Sequence, residues 1–151
     1  MLDDLYRKLI MDHAKSKRNF RKGQGSHVHY KNPTCGDVMT LYWILNEFDE
    51  VEDVSFIGEG CSISMASCSM MTEMIKGKRV EEIQSMRKGM EQLIRKGEQP
   101  NVDLGDALSL EGVHKLKARH NCALMPWQAL DRAFLMDEER RHRTENRVNG
   151  E

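Results

Sequence analysis

Several features that would assign this sequence to a familiar class of protein are missing. It contains no internal repeat, and no apolar run approaches the roughly 18 residues of a membrane-spanning helix. The 23 Lys and Arg residues almost balance the 24 Asp and Glu residues, so the net charge is only -1. These absences argue against a membrane protein, and against a nucleic-acid-binding protein that relies on an overall positive charge.

The chain also begins without the basic and apolar regions of a secretory signal, since its first residues are Met1-Leu2-Asp3-Asp4. We therefore expect a cytoplasmic protein.

Four cysteines are present, at Cys35, Cys61, Cys68 and Cys122. In a reducing compartment, an even number of cysteines indicates metal or thiol chemistry before it indicates disulfides. A chain of this length buries about two-thirds of its surface on folding, so it does not need disulfides for stability.

The hydrophobic pattern predicts one α+β domain, in which a small antiparallel sheet of about three strands packs against several helices. Helices are predicted over 2–14, 62–76, 80–96 and 123–139, with short helical pieces over 104–117. Strands are predicted over 38–46 and 51–57, with a third around 28–31. Because proline is tolerated in the first turn of a helix, Pro126 places the start of the last helix close to Cys122. The domain is predicted to span residues 1–136, and the charged tail 137–151 to be a frayed helix end or disordered.

Three of the cysteines and one carboxylate lie where predicted elements begin or end. In an extended segment, Cys35 and Asp37 point to the same side and can present a thiolate and a carboxylate to one point. Cys61 and Cys122 each precede or begin a helix, and the partial positive charge of a helix N-terminus favours a thiolate. Three sulfurs and one oxygen suit a tetrahedral zinc site, although the spacings match no zinc-finger pattern.

Three other features admit more than one interpretation. Cys68 lies two helical turns, or about 10 Å, beyond Cys61, which is too far for both sulfurs to bind one ion. We predict a small buried hydrophobic residue there rather than a functional thiol. His13 is predicted either to cap carbonyl groups at a helix end or to contact a partner. The basic segment Lys15–Lys22 is predicted to dock an acidic surface of a partner protein, or to be a solvated loop.

A series of short motifs resembles the NifU/IscU-type iron–sulfur assembly proteins. In chain order they are Ile10-Met11-Asp12-His13, Arg18-Asn19, Asn32-Pro33-x-Cys35-Gly36-Asp37, Gly60-Cys61-x-Ile63-Ser64 and Arg119-x-x-Cys122-Ala123. The resemblance extends to about Leu135. It is closer to the SufU branch, because a segment of about residues 81–103 lengthens the interval between Cys61 and Cys122. The scaffold branch has a histidine directly before the last cysteine, where this chain has Asn121.

The resemblance implies a function and a set of functional residues. The implied ligands of one zinc ion are Cys35, Asp37, Cys61 and Cys122. The implied activity is to accept persulfide sulfur from a SufS-type cysteine desulfurase and to pass it to downstream iron–sulfur assembly proteins. Cys35 would leave the zinc ion when a histidine of the desulfurase replaces it. Arg18, Asn19, Arg119 and His120 are predicted to support the site or to contact the partner.

Other functions remain open from the sequence. The chain could be a scaffold on which a [2Fe–2S] cluster is assembled by the same four ligands, with iron in place of zinc. It could also be a structural zinc module, for which Cys35→Ser would leave desulfurase turnover unchanged. His120 lies two residues before Cys122 and could displace Asp37 from the metal. Whether such a sulfur acceptor is itself an enzyme is also left open.

Overall fold

The computed structural model describes residues 2–149 and has the predicted α+β architecture. The principal elements are α1 (Leu2–Lys15), β1 (Ser26–Lys31), β2 (Val38–Leu45), β3 (Val51–Glu59), α2 (Ser62–Ile75), α3 (Val80–Glu91) and α4 (His120–Asn149). A π-helical turn (Gln92–Lys96) continues α3, and 3-10 helices (Gly105–Lys115 and Lys117–Arg119) lead into α4. Within residues 2–149, no helix combines the length and the apolar character needed to cross a membrane.

The sheet is an antiparallel meander with the strand order β1-β2-β3. Lys31 pairs with Val38, and Val38 pairs with Glu59 on its other side. The β1–β2 loop and the end of β3 therefore lie at the same edge of the sheet. This register brings the two sequence segments that contain Cys35 and Cys61 together, although 26 positions separate the two cysteines.

Helix α2 lies at the centre of the fold, and its residues from Ser64 to Thr72 are all buried. It packs against α1, α4 and β3. Cys68 is completely buried within this core, where its Sγ lies 3.7 Å from Sδ of Met39. Burial also raises the pKa of the Cys68 thiol well above its usual range. The predicted role of Cys68 as a small buried hydrophobic residue is confirmed.

Helix α4 differs from its prediction at both ends. It begins at His120, so Pro126 is its seventh residue and the prediction that it lies in the first turn is wrong. Pro126 removes one helical hydrogen bond, but the segment is held by tertiary packing, with Trp127 and Ala129 completely buried. At its other end the helix runs to Asn149, past the predicted end at residue 139 and through 137–149 of the charged tail. Positions 150 and 151 of that tail lie outside the described residues.

Candidate metal centre

A compact turn between β1 and β2 presents Cys35 and Asp37. The buried Asn32 organises this turn, since its Oδ1 accepts a hydrogen bond from the Thr34 N–H at 3.0 Å. The Asn32 N–H donates to the carbonyl of Asp37 at 2.7 Å, and its own carbonyl accepts from the Gly36 N–H at 3.2 Å. Gly36 has a φ of +76°, in the left-handed region that favours glycine. The Cys35-Gly36-Asp37 motif therefore forms the tip of a turn, with the Cys35 side chain exposed.

Cys61 is the N-cap residue of α2 and connects this helix to Asp37. Its Sγ accepts a hydrogen bond from the Ser64 N–H at 3.5 Å, and its own N–H donates to Oδ2 of Asp37 at 3.3 Å. The Ser64 hydroxyl also donates a short hydrogen bond to that carboxylate oxygen. A Cβ at Gly60 would lie 2.7 Å from Cγ of Asp37, so only glycine permits this close approach. The carboxylate is thus fixed against the start of α2.

Cys122, the third residue of α4, brings the remaining sulfur to the same place. Its Sγ lies 3.5 Å from Sγ of Cys35, and the donor atoms of Cys35, Asp37 and Cys122 all lie within 4.8 Å of one another. Tetrahedral zinc with bonds of about 2.3 Å to sulfur places neighbouring sulfurs about 3.8 Å apart. Two thiols and a carboxylate are donors that zinc accepts, so Cys35, Asp37 and Cys122 fit a zinc ion. The Cys61 sulfur is not one of the donor atoms in this group, and Cys61 reaches it through its backbone N–H, which donates to Oδ2 of Asp37. We call these four residues the cysteine site.

The cysteine site favours a charged carboxylate and a protonated buried thiol. Burial acts to raise the pKa of Asp37, but hydrogen bonds from Ser64, Cys35 and Cys61 outweigh it and hold this pKa below its usual value. Burial, and then the neighbouring Cys35 and Cys61, raise the pKa of Cys122 to about 12. In the absence of a metal, Cys122 therefore carries a proton at neutral pH, and a metal ion must displace that proton to bind its sulfur.

Of the predicted supporting residues, Arg119 lies at the cysteine site, whereas the His120 ring is directed to a backbone carbonyl instead of to the cysteine sulfurs. The exposed Arg119 has a raised pKa, first because its side chain hydrogen-bonds to Cys122 and then because of the charge of Cys61. His120 is buried, and its Nε2 donates to the His114 carbonyl at 2.8 Å. Its ring stacks on that of His114, with 6.0 Å between the centroids. The structure therefore groups Asp37 rather than His120 with the cysteine sulfurs.

Arg18 and Asn19 lie elsewhere, along the second half of α2. The Arg18 N–H donates to Oγ of Ser69 at 2.8 Å, and Nδ2 of Asn19 donates to Oγ1 of Thr72 at 3.2 Å. Ser69 lies eight residues beyond Cys61, which corresponds to about 12 Å along a helix. In this structure, the two residues attach the basic loop to α2 and do not contact the cysteine site.

A second group of possible metal ligands consists of His13, Glu73 and Asp106, whose donor atoms also lie within 4.8 Å of one another. Both ring nitrogens of the buried His13 have side-chain partners, with Nδ1 at 2.8 Å from Oγ of Ser69 and Nε2 at 2.9 Å from Oδ2 of Asp106. Arg18 lies 3.8 Å from Glu73 and supplies a positive charge. Hydrogen bonds and charge therefore account for this group without a metal. Both interpretations of His13, as a carbonyl cap and as a partner contact, are wrong.

Ser64 and Asn121 contribute to the centre in ways that the motifs do not indicate. Ser64 contacts both Asp37 and Cys61. The sequence indicates such a contact only through the position of Ser64, three residues after the N-cap residue Cys61, where a side chain can face the cap. Asn121 donates a hydrogen bond from Nδ2 to Oγ1 of Thr34 at 2.6 Å. That contact is between positions far apart in the chain, so no local pattern in the sequence predicts it.

Comparison with known proteins agrees with this fold and arrangement of cysteines. Residues 5–141 match the family model of the NifU-like N terminal domain, and the chain belongs to that family. It is 48% identical over 141 residues to the zinc-dependent sulfurtransferase SufU of Bacillus subtilis (strain 168), covering 91% of this chain and 94% of that protein. The predicted resemblance to NifU/IscU-type proteins, and to SufU, is confirmed.

Two further relatives connect the chain to scaffold proteins. It is 36% identical over 149 residues to the iron–sulfur cluster assembly scaffold protein IscU of Streptococcus pyogenes serotype M1, covering 97% of this chain and 93% of that protein. A crystal structure from Fervidobacterium islandicum AW-1, described as a candidate iron–sulfur cluster assembly scaffold protein for the SUF system, superposes with a TM-score of 0.71. That comparison has 33% identity and covers 82% of this chain and 92% of the other.

Proposed function

We propose that this protein is a zinc-dependent sulfur acceptor and carrier in iron–sulfur cluster biogenesis. Its family membership and its similarity to SufU and IscU support the broader assignment to iron–sulfur cluster assembly. In this proposal, Cys35, Asp37, Cys61 and Cys122 hold one zinc ion, and Cys35 is the residue that accepts sulfur. When bound, zinc would keep its thiol ligands deprotonated at neutral pH.

The observation that carries the proposal is the unequal exposure of two adjacent sulfurs. Cys35 is exposed at the tip of its turn, whereas Cys122, 3.5 Å away, is completely buried in the first turn of α4. A partner protein can therefore reach Cys35 but not Cys122. Cys35 also lies in a short loop rather than within a packed helix, so it can move without disturbing the core.

The transfer step is an exchange between sulfur atoms. The Cys35 thiolate attacks the outer sulfur of a persulfide on a cysteine desulfurase and forms a new S–S bond. The original S–S bond of that persulfide breaks, and its electron pair leaves with the cysteine thiolate of the desulfurase. The sulfur is transferred without net oxidation or reduction, and Cys35 becomes the persulfide. A downstream iron–sulfur assembly protein would then receive this sulfur.

We propose a SufS-type enzyme as the desulfurase. Arg119 supports an interface at this end of the molecule, because its exposed guanidinium lies beside Cys122 and near Cys61. A cation in this position can attract a negatively charged group of a partner while stabilising the thiolates that it faces. Sequence similarity to SufU favours the same kind of partner.

Metal analysis combined with a desulfurase turnover assay tests this proposal. The purified protein should contain about one zinc ion per chain, and its addition should increase the rate at which the desulfurase consumes cysteine. Cys35→Ser should abolish the increase, whereas Cys68→Ala, which changes a thiol outside the cysteine site, should retain it. Iron–sulfur absorption without zinc would instead support the scaffold, for which similarity to IscU provides an argument. A zinc-bound protein that leaves turnover unchanged would indicate a structural zinc module.

A further inference from the structure

The side-chain amide of Asn121 connects three segments of the chain next to Cys35. Its Nδ2 donates to Oγ1 of Thr34 at 2.6 Å, and its Oδ1 accepts from Nη2 of Arg95 at 2.9 Å and from Nε2 of Gln128 at 3.3 Å. A guanidinium can only donate hydrogen bonds, so Oδ1 must face Arg95 and Nδ2 must face Thr34. We call Thr34, Arg95, Asn121 and Gln128 the Asn121 bridge.

Two of the three partners of Asn121 in this bridge, Arg95 and Gln128, are themselves held by further hydrogen bonds. Nε of Arg95 donates to the two carboxylate oxygens of Glu91 at 3.1 and 3.0 Å. Oε1 of Gln128 accepts from the Tyr30 hydroxyl at 2.8 Å. Arg95 lies in the π-helical turn that follows α3, within the segment that lengthens the interval between Cys61 and Cys122. The bridge therefore joins that segment, α4 and β1 to the loop that contains Cys35.

We propose that Asn121 is a positioning residue that holds the Cys35 loop against α4 and slows the departure of the Cys35 thiol from the cysteine site. The inference rests on the proposed function, in which Cys35 is a ligand that must leave in order to accept sulfur. Thr34 directly precedes Cys35, so a bond to its hydroxyl restrains the neighbouring thiol. The hydrogen bonds of Asn32 act within the loop, whereas the Asn121–Thr34 bond attaches the loop to a helix. Because Arg95 belongs to the segment that lengthens the interval between Cys61 and Cys122, this segment also helps to slow the departure of the Cys35 thiol.

The rate at which iodoacetamide alkylates Cys35 tests the proposal in the zinc-loaded full chain, with each cysteine followed by peptide mass spectrometry. Thr34→Val removes the hydroxyl with little change of shape, and Asn121→Ala removes the amide. Each should accelerate alkylation of Cys35 by about two- to ten-fold, the range expected for one hydrogen bond. The double variant should react no faster than Asn121→Ala, because both changes remove the same bond. Arg95→Met should give a smaller increase in the same direction.

Controls separate this role from a general loosening of the fold. Lys96→Met changes the neighbouring cation on the same turn as Arg95 and should leave the alkylation rate of Cys35 unchanged. In all variants, alkylation of Cys122 should also stay as in the unmodified protein. An equal acceleration at Cys122 would overturn the proposal, because it would indicate that the whole site had loosened.

Hydrogen–deuterium exchange in the metal-free chain provides an independent readout. Thr34→Val and Asn121→Ala should raise the exchange of residues 32–37 by about two- to ten-fold, whether or not zinc binds. If the unmodified protein takes up no zinc, the proposed function fails. The exchange rates of the metal-free variants still show whether the Asn121 bridge holds the Cys35 loop. The proposal would be overturned if Thr34→Val and Asn121→Ala had the same exchange and alkylation rates as Lys96→Met. Thr34 is exposed, so Thr34→Val continues to test the bond if Asn121→Ala fails to fold.

Discussion

Asp37 shows how burial and hydrogen bonding compete at a single residue of the cysteine site. Burial opposes its charge, but three hydrogen-bond partners more than compensate and lower its pKa from an ordinary value of 3.8. A lowered pKa means that the folded protein favours the charged form. The stability that Asp37 contributes is therefore present above its ordinary pKa, and is lost as the pH falls through the lowered value. At neutral pH the carboxylate is charged and ready to bind a cation.

Ser64→Ala should weaken zinc binding without unfolding the protein. The buried hydroxyl donates to the carboxylate of Asp37 and contacts Sγ of Cys61, so its loss releases two donors of the cysteine site. Loss of such a supporting hydrogen bond lowers metal affinity by about 10- to 100-fold. Titration against a competing chelator measures this change. Ser62→Ala, on the same turn of α2 but exposed, is the matched control and should bind zinc as the unmodified protein does.

Zinc affinity should rise with pH. The Cys122 thiol has a pKa of about 12 in the metal-free protein, so zinc binding must release its proton. Chelator competition at pH values between about 6 and 9 should show tighter binding at higher pH, by up to about tenfold per unit for each proton released. Cys68→Ala should retain this dependence. An affinity that is independent of pH would contradict a protonated Cys122.

At the scale of single residues, the sequence identifies the donors better than their support. Cys35 and Asp37 are recognisable because they share a short motif, and their side chains do converge. Ser64 and Asn121 act through contacts with Asp37 and Thr34 that arise only after the loop, α2 and α4 have packed together. Such contacts have no periodic signal, which is why they cannot be predicted from local spacing.

At the scale of elements, one sheet edge and two helix starts create the cysteine site. Hydrophobic periodicity predicts the helices and the strands because each element has one buried face. The start of α4 is harder to predict, since the local preference of Pro126 for a first turn is overridden by burial of Trp127 and neighbouring residues. The extension of α4 to Asn149 has a similar cause, because a charged segment can continue a helix that is already anchored by its apolar part.

His13→Ala should destabilise the fold without affecting zinc. The His13 ring joins α1 to α2 through Ser69 and to the 3-10 helix Gly105–Lys115 through Asp106. Removing a completely buried, doubly hydrogen-bonded side chain should lower the free energy of unfolding by about 2–4 kcal/mol. Denaturant unfolding of the metal-free protein measures this loss. The exposed His29→Ala serves as the control, and a reduced zinc content in His13→Ala would contradict the assignment of His13 to a purely structural network.

At the scale of the whole molecule, the net charge is close to zero, and basic side chains of the Lys15–Lys22 loop lie next to acidic ones. Within the basic loop, Arg18 lies 2.6 Å from Asp12 and Arg21 lies 2.9 Å from Asp53, so part of the positive charge is already paired. These ion pairs hold the loop against the folded domain. Docking of this loop to an acidic partner stays a prediction. The exposed Arg119, in contrast, is a cation that lies beside the cysteine site itself.

The position of the transferred sulfur tests the central claim most directly. The zinc-loaded protein is incubated with a SufS-type desulfurase and cysteine, and its peptides are then analysed by mass spectrometry without reducing agent. We expect one additional sulfur atom on Cys35, and none on Cys68 or in a Cys35→Ser variant. Sulfur on Cys68, or a zinc-loaded protein that gains no sulfur while the desulfurase is active, would contradict the account of Cys35 as the acceptor.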